Sequence, residues 1–136
     1  MNFQEMSTIV EHKIPLKVFI INNGYLGMVR QWQELFWRRR YSHVELRNPD
    51  FVKLAEAHGA AAFRATTTEE VEGVIRAALS HEGPVVVEFR VAKEDNVYPM
   101  VPAGQTVKEM IDVPDDLPAG PEENEKDLQM MIMEKG

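Results

Sequence analysis

The sequence predicts an α/β fold, a mainly parallel sheet with helices over both faces, and three observations lead there. Runs of β-forming residues alternate with segments of helical period, which requires crossover connections between strands. Two of the three strand runs, "LKVFII" and "VVVEFRVA", are almost wholly apolar, as strands covered on both faces are. Helix start and stop signals stand between them, at Asn48-Pro49-Asp50, at Gly59, and at Thr67 or Thr68 ahead of Glu69 and Glu70.

The elements follow in order. Phe3, Met6, Ile9 and Val10 make a helical stripe in residues 2–12, without an evident N-cap, and Pro15 ends it. A buried strand over 16–21 comes next. The spacing of Leu26, Val29, Trp32 or Gln33, and Phe36 predicts a helix from Leu26 to about Arg39 with those residues on its apolar face. Residues 41–48 read as a loop with a short extended piece. Asn48 is the expected N-cap and Pro49 the first helical residue of a helix carrying Phe51, Leu54 and Ala55 as far as Gly59. A strand at 61–65 precedes a helix whose apolar positions are Val71, Val74, Ile75, Ala78 and Leu79. The third strand spans 84–91. Beyond Lys93 a loop leads into a short helical piece at 105–111, then an acidic stretch rich in Pro and Gly reads as a mobile tail over 112–136. A three-stranded sheet is small, and the sequence opens on a helix that no strand feeds. The expectation is therefore a piece of a larger domain, residues 1–111, followed by the tail.

Composition excludes several classes. A net charge of −7 in 136 residues argues against a nucleic-acid or membrane surface, and Arg38-Arg39-Arg40 lies close to Glu34 and Glu45. The absence of cysteine removes disulfides, thiolate metal sites and a thiol nucleophile, and suits a reducing cytoplasm. The longest apolar runs are far too short to span a bilayer, and no signal peptide is visible.

The chemistry concentrates where the first strand ends, in "INNGYLGMVRQW". Ligands of open α/β sheets bind at the carboxyl ends of strands. Asn22 and Asn23 offer side-chain carbonyls, hard oxygens of the kind Mg²⁺ accepts. Gly24 permits positive φ or a close backbone approach, and a helix starting near Leu26 aims N–H groups at an anion. Taken singly, a strand ending in Asn-Asn-Gly is also an ordinary turn, and an aromatic helix is also ordinary core. His43 and His58 are the candidate bases; His58, just before Gly59, suits a helix end.

"INNGYLGMVRQWQELFWRRRYSH", "NPDFVKLAEAHGA" and "GPVVVEFRVAKEDNVYPMVPAG" together resemble the C-terminal thiamine-diphosphate-binding domain of the acetolactate synthase (acetohydroxyacid synthase) large catalytic subunit. The resemblance runs from about Met1 to Met110. It implies the thiamine-diphosphate-binding fold, here a partial three-layer sandwich, truncated N-terminally. It implies that Asn22, Asn23, Gly24, Tyr25, Leu26, Gly27 and Met28 lie along the cofactor, with Asn23 (side chain) and Tyr25 (backbone carbonyl) as Mg²⁺ ligands. Met28, Trp32 and Ala103 match positions of the substrate channel, Trp32 being linked to the choice of second 2-ketoacid. No catalytic side chain falls within the segment.

The parent that the resemblance implies decarboxylates pyruvate and joins the two-carbon unit to a second 2-ketoacid, pyruvate or 2-ketobutyrate, in branched-chain amino-acid biosynthesis. It implies thiamine diphosphate and Mg²⁺ here, FAD bound outside this segment, a homodimer or tetramer of catalytic subunits, a regulatory subunit as possible partner, and a cytoplasmic location. The Gly-Asp-Gly half of the cofactor motif is absent from "MNFQE" onward, as are the activating glutamate and the flavin domain, so the isolated chain is expected to be inactive. Two alternatives stand beside this: another thiamine-diphosphate-dependent decarboxylase or carboligase, and a non-catalytic truncated paralogue serving as an interaction module.

Overall fold

The valine run Val85–Val87 has no exposed surface to speak of, and β3 (Val85–Arg90) is accordingly the middle strand of a three-stranded sheet. The computed structural model describes residues 2–113. β1 (Lys17–Asn22) and β2 (Ala61–Ala65) flank β3, both parallel to it, in the order β1-β3-β2. The register sets Ile20 and Arg64 beside Glu88, and Asn22 beside Arg90. The α/β class with an all-parallel sheet is as expected, and each strand lies within a residue of its expected span.

Alternation along β3 sends Val86 to one face and Val85 and Val87 to the other. The Val86 face packs with Met6, Ala55 and Ala60, and with Phe3, Ile9, Val10, Val18, Ile20 and Ala62 around them. That stripe is the one expected of α1 (Glu5–Glu11), joined by α3 (Phe51–Ala57). The opposite face packs with Ala78 and Val74 of α4 (Thr68–Ser80), and with Phe63 and Phe89. On β1 the same face leaves Ile21 66% exposed and Phe19 41% exposed.

Three local expectations need correction. The N-cap of α3 is Asp50, not Asn48: its carboxylate accepts from the N–H groups of Val52 and Lys53, both at 3.1 Å, and Phe51 is the first helical residue. Asn48 is drawn elsewhere, donating to Asn22 Oδ1 at 2.9 Å. Leu79 faces out, 63% exposed, while its neighbour Ala78 is buried. Thr67 caps α4 in a reciprocal capping box with Glu70, as its sequence suggests, and Gly59 ends α3 at φ +85°.

The described residues divide into two compact units, residues 2–25 with 45–91, which hold the sheet, and residues 26–44 with 92–113. In the second unit α2 (Gly27–Phe36) stops short of the expected Arg39, because Arg38 and Arg39 both turn to positive φ, +54° and +57°. Its expected apolar face is the exposed one: Leu26, Val29, Trp32 and Phe36 are each 41–48% exposed, and the buried residues are Arg30 and Gln31. Arg30 is held by Glu34 at 2.9 Å and lies 5.0 Å over the Tyr41 ring. The short helical piece expected at 105–111 is a 3₁₀ turn, Val107–Glu109. Apart from residues 112 and 113, the expected tail lies outside the described residues, as does Met1. No helix among the described residues is long and apolar enough to cross a membrane.

Candidate functional site

β1 ends in a buried amide. Asn22 is 8% exposed, and each of its polar atoms has a partner: Nδ2 donates to Glu88 Oε1 at 2.6 Å, while Oδ1 accepts from the Gly24 N–H at 3.0 Å and from Asn48 Nδ2 at 2.9 Å. Asn23 repeats the local pattern one residue on, its Oδ1 accepting from the Tyr25 N–H at 3.0 Å. Two successive Asx turns thus bend the chain away from the sheet. Gly24 sits at φ +68°, the left-handed region that favours glycine, and a Cβ there would meet nothing within 4 Å, so the turn borders open space. The Leu46 N–H donates to the Gly24 carbonyl at 2.7 Å, and Tyr25 bridges Glu45 in antiparallel fashion. The first unit therefore brings Asn22, Asn23, Gly24 and Tyr25 together in one braced turn.

Behind the turn lies a charge network that sequence reasoning missed. Glu88 is wholly buried on β3, with Arg90 Nε at 2.7 Å from Oε1 and Arg64 Nε at 2.7 Å from Oε2. Arg64 reaches on to Asp50 at 2.7 Å. The Lys53 N–H at the α3 N-terminus, against the opposing effect of burial and with help from Arg64, holds the Asp50 carboxyl below its ordinary range. Burial works to lower the Arg64 guanidinium, but its hydrogen bonds to Glu88 and Asp50 outweigh that and keep it raised. The available signal was a glutamate inside a valine-rich central strand: a buried carboxylate requires partners, and arginine is the residue that satisfies one.

The remaining expected residues belong to the second unit. Leu26 donates its N–H to the Val44 carbonyl at 2.8 Å and precedes α2, whose first turn has no side-chain cap. Gly27 and Met28 open the helix. Met28 and Trp32, four apart, share a helix face; they are 51% and 42% exposed, and Trp32 meets Phe36 edge-on with ring centroids 5.3 Å apart. Trp32 is thus not a core residue. Ala103 is exposed on a loop of the same unit. Gln31, 1% exposed, fastens that loop's segment to α2: its Nε2 donates to the Val97 carbonyl at 2.9 Å and its Oε1 accepts from the Val97 N–H at 2.8 Å.

Each of the two candidate histidines is hydrogen-bonded to a serine. His58 ends α3 and bonds Ser7 Oγ at 2.9 Å, and His43 is exposed with its ring on Ser42 Oγ at 2.7 Å. Among the described residues no group of three His, Asp or Glu is placed to hold a metal ion. The turn instead offers neutral oxygens beside open space at Gly24. That donor set fits a share of a Mg²⁺ coordination sphere, with the balancing negative charge supplied by other groups.

Residues 1–89 match the family described as thiamine pyrophosphate enzyme, C-terminal TPP binding domain. The chain is 43% identical over 115 residues to the acetolactate synthase large subunit of Porphyra purpurea, covering 83% of this chain and 20% of that protein. It is 43% identical over 111 residues to the mitochondrial acetolactate synthase of Schizosaccharomyces pombe, covering 82% and 17%. To the acetolactate synthase isozyme 2 large subunit of Escherichia coli it is 40% identical over 113 residues, covering 82% and 21%. Among solved structures it resembles the thiamine diphosphate-dependent 4-hydroxybenzoylformate decarboxylase of Rhodococcus jostii, with a TM-score of 0.59, 26% identity, and coverage of 66% of this chain and 17% of that one. The chain thus spans about one fifth of the length of the curated relatives it matches.

Proposed function

The chain belongs to the thiamine pyrophosphate enzymes, within their C-terminal cofactor-binding domain, and from that premise we propose that it serves as the C-terminal part of an acetolactate synthase large subunit. The observation that carries the reading is the braced Asn-Asn-Gly turn at the carboxyl end of β1, in a chain 40–43% identical to proteins of that name. The lower identity, 26%, to the 4-hydroxybenzoylformate decarboxylase favours acetolactate synthase over another decarboxylase or carboligase.

In this proposal Asn23 Oδ1 and the Tyr25 carbonyl are ligands of Mg²⁺, and Asn22 and Gly24 set the turn. Leu26, Gly27 and Met28 lie along the diphosphate, where helix-start N–H groups favour an anion. Thiamine diphosphate, when bound, supplies the electron sink for decarboxylating a 2-ketoacid and joining its two-carbon unit to a second one. This chain's own residues bind and orient. Met28, Trp32 and Ala103 line the path of the second 2-ketoacid, pyruvate or 2-ketobutyrate, with Trp32 as an apolar wall. FAD binds outside the segment, the catalytic subunits form a homodimer or tetramer with a regulatory subunit as possible partner, and the protein works in the cytoplasm in branched-chain amino-acid biosynthesis.

The test is acetolactate formation from pyruvate by the complete subunit, supplied with thiamine diphosphate, Mg²⁺ and FAD. Acetolactate as the product supports the proposal. Release of acetaldehyde alone, or turnover only of an aromatic 2-ketoacid, overturns it in favour of a decarboxylase.

A further inference from the structure

A fully buried glutamate is an odd choice for the middle of a parallel sheet. Val85, Val86 and Val87 precede Glu88 and are buried as completely. Replacing a buried ion pair by apolar side chains of similar volume is often neutral or stabilising, so holding the sheet together does not call for a carboxylate here. What a carboxylate does, and a methionine would not, is choose the orientation of its neighbour's amide.

An ionised carboxylate only accepts hydrogen bonds. Glu88 Oε1, 2.6 Å from Asn22 Nδ2, admits the NH₂ end of Asn22 and repels the carbonyl end. That fixes Oδ1 on the opposite prong, where it accepts from the Gly24 N–H at 3.0 Å and from Asn48 Nδ2 at 2.9 Å. All three contacts agree on one orientation of the amide. Glu88 is itself held, by Arg64 on β2 and Arg90 on its own strand, each at 2.7 Å, and Arg64 is anchored on Asp50 at the start of α3. Three separate elements of the first unit thereby converge on one amide flip.

We propose that Glu88 is a positioning residue for the Asn22–Tyr25 turn: by selecting the Asn22 amide orientation it holds the Gly24 N–H, and with it the backbone that presents Asn23 and Tyr25. The consequence for cofactor binding rests on the function proposed above; the consequence for the turn does not.

Residue-resolved amide exchange on the 136-residue chain, together with thiamine diphosphate–Mg²⁺ titration of the complete subunit, tests this. Glu88→Met removes the acceptor while filling the space. Its Gly24 amide should exchange at least about tenfold faster, while Val86 and Val87 amides, on the central strand, change less than about threefold, because local opening is separable from global unfolding. Glu88→Gln retains a carbonyl acceptor for Asn22 and should restore most of the Gly24 protection. Asn22→Ala should match Glu88→Met at Gly24, and the double variant should add little, as expected of two groups acting through one contact. Unchanged Gly24 exchange in Glu88→Met, or equal acceleration throughout the sheet, overturns the proposal whatever the cofactor does. Should Glu88→Met not fold, Asn22→Ala decides: a Gly24 amide that exchanges at least about tenfold faster, at unchanged sheet protection, supports the proposal, and unchanged Gly24 exchange overturns it, because Glu88 acts on the turn only through that amide. Faster Gly24 exchange with unaltered cofactor affinity supports the positioning role and overturns instead the reading that this turn holds the cofactor.

Discussion

Asp50→Ala removes three interactions at once: the cap bonds to the Val52 and Lys53 N–H groups, and the 2.7 Å ion pair with Arg64. Loss of an N-cap of this type costs about 1 kcal/mol and at most about 2. The ion pair has side chains 30% and 36% exposed, so solvent screening leaves it at about 0.5 kcal/mol. A total of about 1.5 kcal/mol corresponds to a fall in melting temperature of about 5 °C for a chain of this size. Asp50→Asn separates the contributions, since asparagine caps nearly as well and loses only the charge; its fall should be about 2 °C. The carboxyl's folded-state pKa is lowered, chiefly by the Lys53 N–H, so its contribution is fully present above the ordinary value of 3.8 and is lost as pH falls through the lower folded value. The gap between wild type and Asp50→Ala should therefore be constant from neutral pH to the mildly acidic range and shrink only below 3.8. Thermal melts of the three proteins across that range supply the assay. Asn and Ala variants equally destabilised, or a gap unchanged to the lowest pH at which the protein folds, would refute the assignment of Asp50 as charged cap.

Trp32→Leu should shift product preference away from 2-ketobutyrate toward pyruvate by about 1–3 kcal/mol in competition assays of the complete subunit. Trp32 is 42% exposed, so its stability cost should stay near about 1 kcal/mol, well below the 3–5 of a buried Trp truncation; a large melting shift with unchanged product ratio would contradict its role. Gln31→Leu should free the Val97 amide, seen as faster exchange there, at a stability cost of about 1–2 kcal/mol for two lost bonds whose backbone partners regain water. Unchanged exchange at Val97 would sink that claim. Ile21 and Phe19 stand exposed on the outer strand β1, and outer strands with apolar surface invite pairing. The 136-residue chain should self-associate in light scattering and Ile21→Lys should reduce it; a wild-type chain that stays monomeric would count against this.

Much of the fold is legible because its signals are local. Phe3, Met6, Ile9 and Val10 recur at helical spacing and do pack on one sheet face, and Thr67 with Glu70 announces a capping box that forms. What escapes the sequence is decided by distant partners. Asn48 and Asp50 are both good caps, and the choice between them falls to Asn22, 26 positions away in sequence, which takes the Asn48 amide. On α2 the apolar period is real, yet periodicity does not say what covers a face; Gln31 is buried because Val97, 66 positions on, receives both ends of its amide. The Asn-Asn-Gly turn was legible as a site candidate. Glu88 was not, since its meaning depends on β1 and β2 delivering Asn22 and Arg64 to the same carboxylate.

The central claim is that the Asn22–Tyr25 turn holds the Mg²⁺ of the cofactor site. Calorimetric titration of thiamine diphosphate in Mg²⁺ into the complete subunit, wild type against Asn23→Ala, tests it most directly. Outer partners of metal ligands already cost about 10–100-fold in affinity when removed, so loss of a ligand itself should weaken cofactor binding at least about tenfold, with the melting temperature of the cofactor-free protein little changed. Equal affinity for the two proteins, measured on folded samples, would contradict the account.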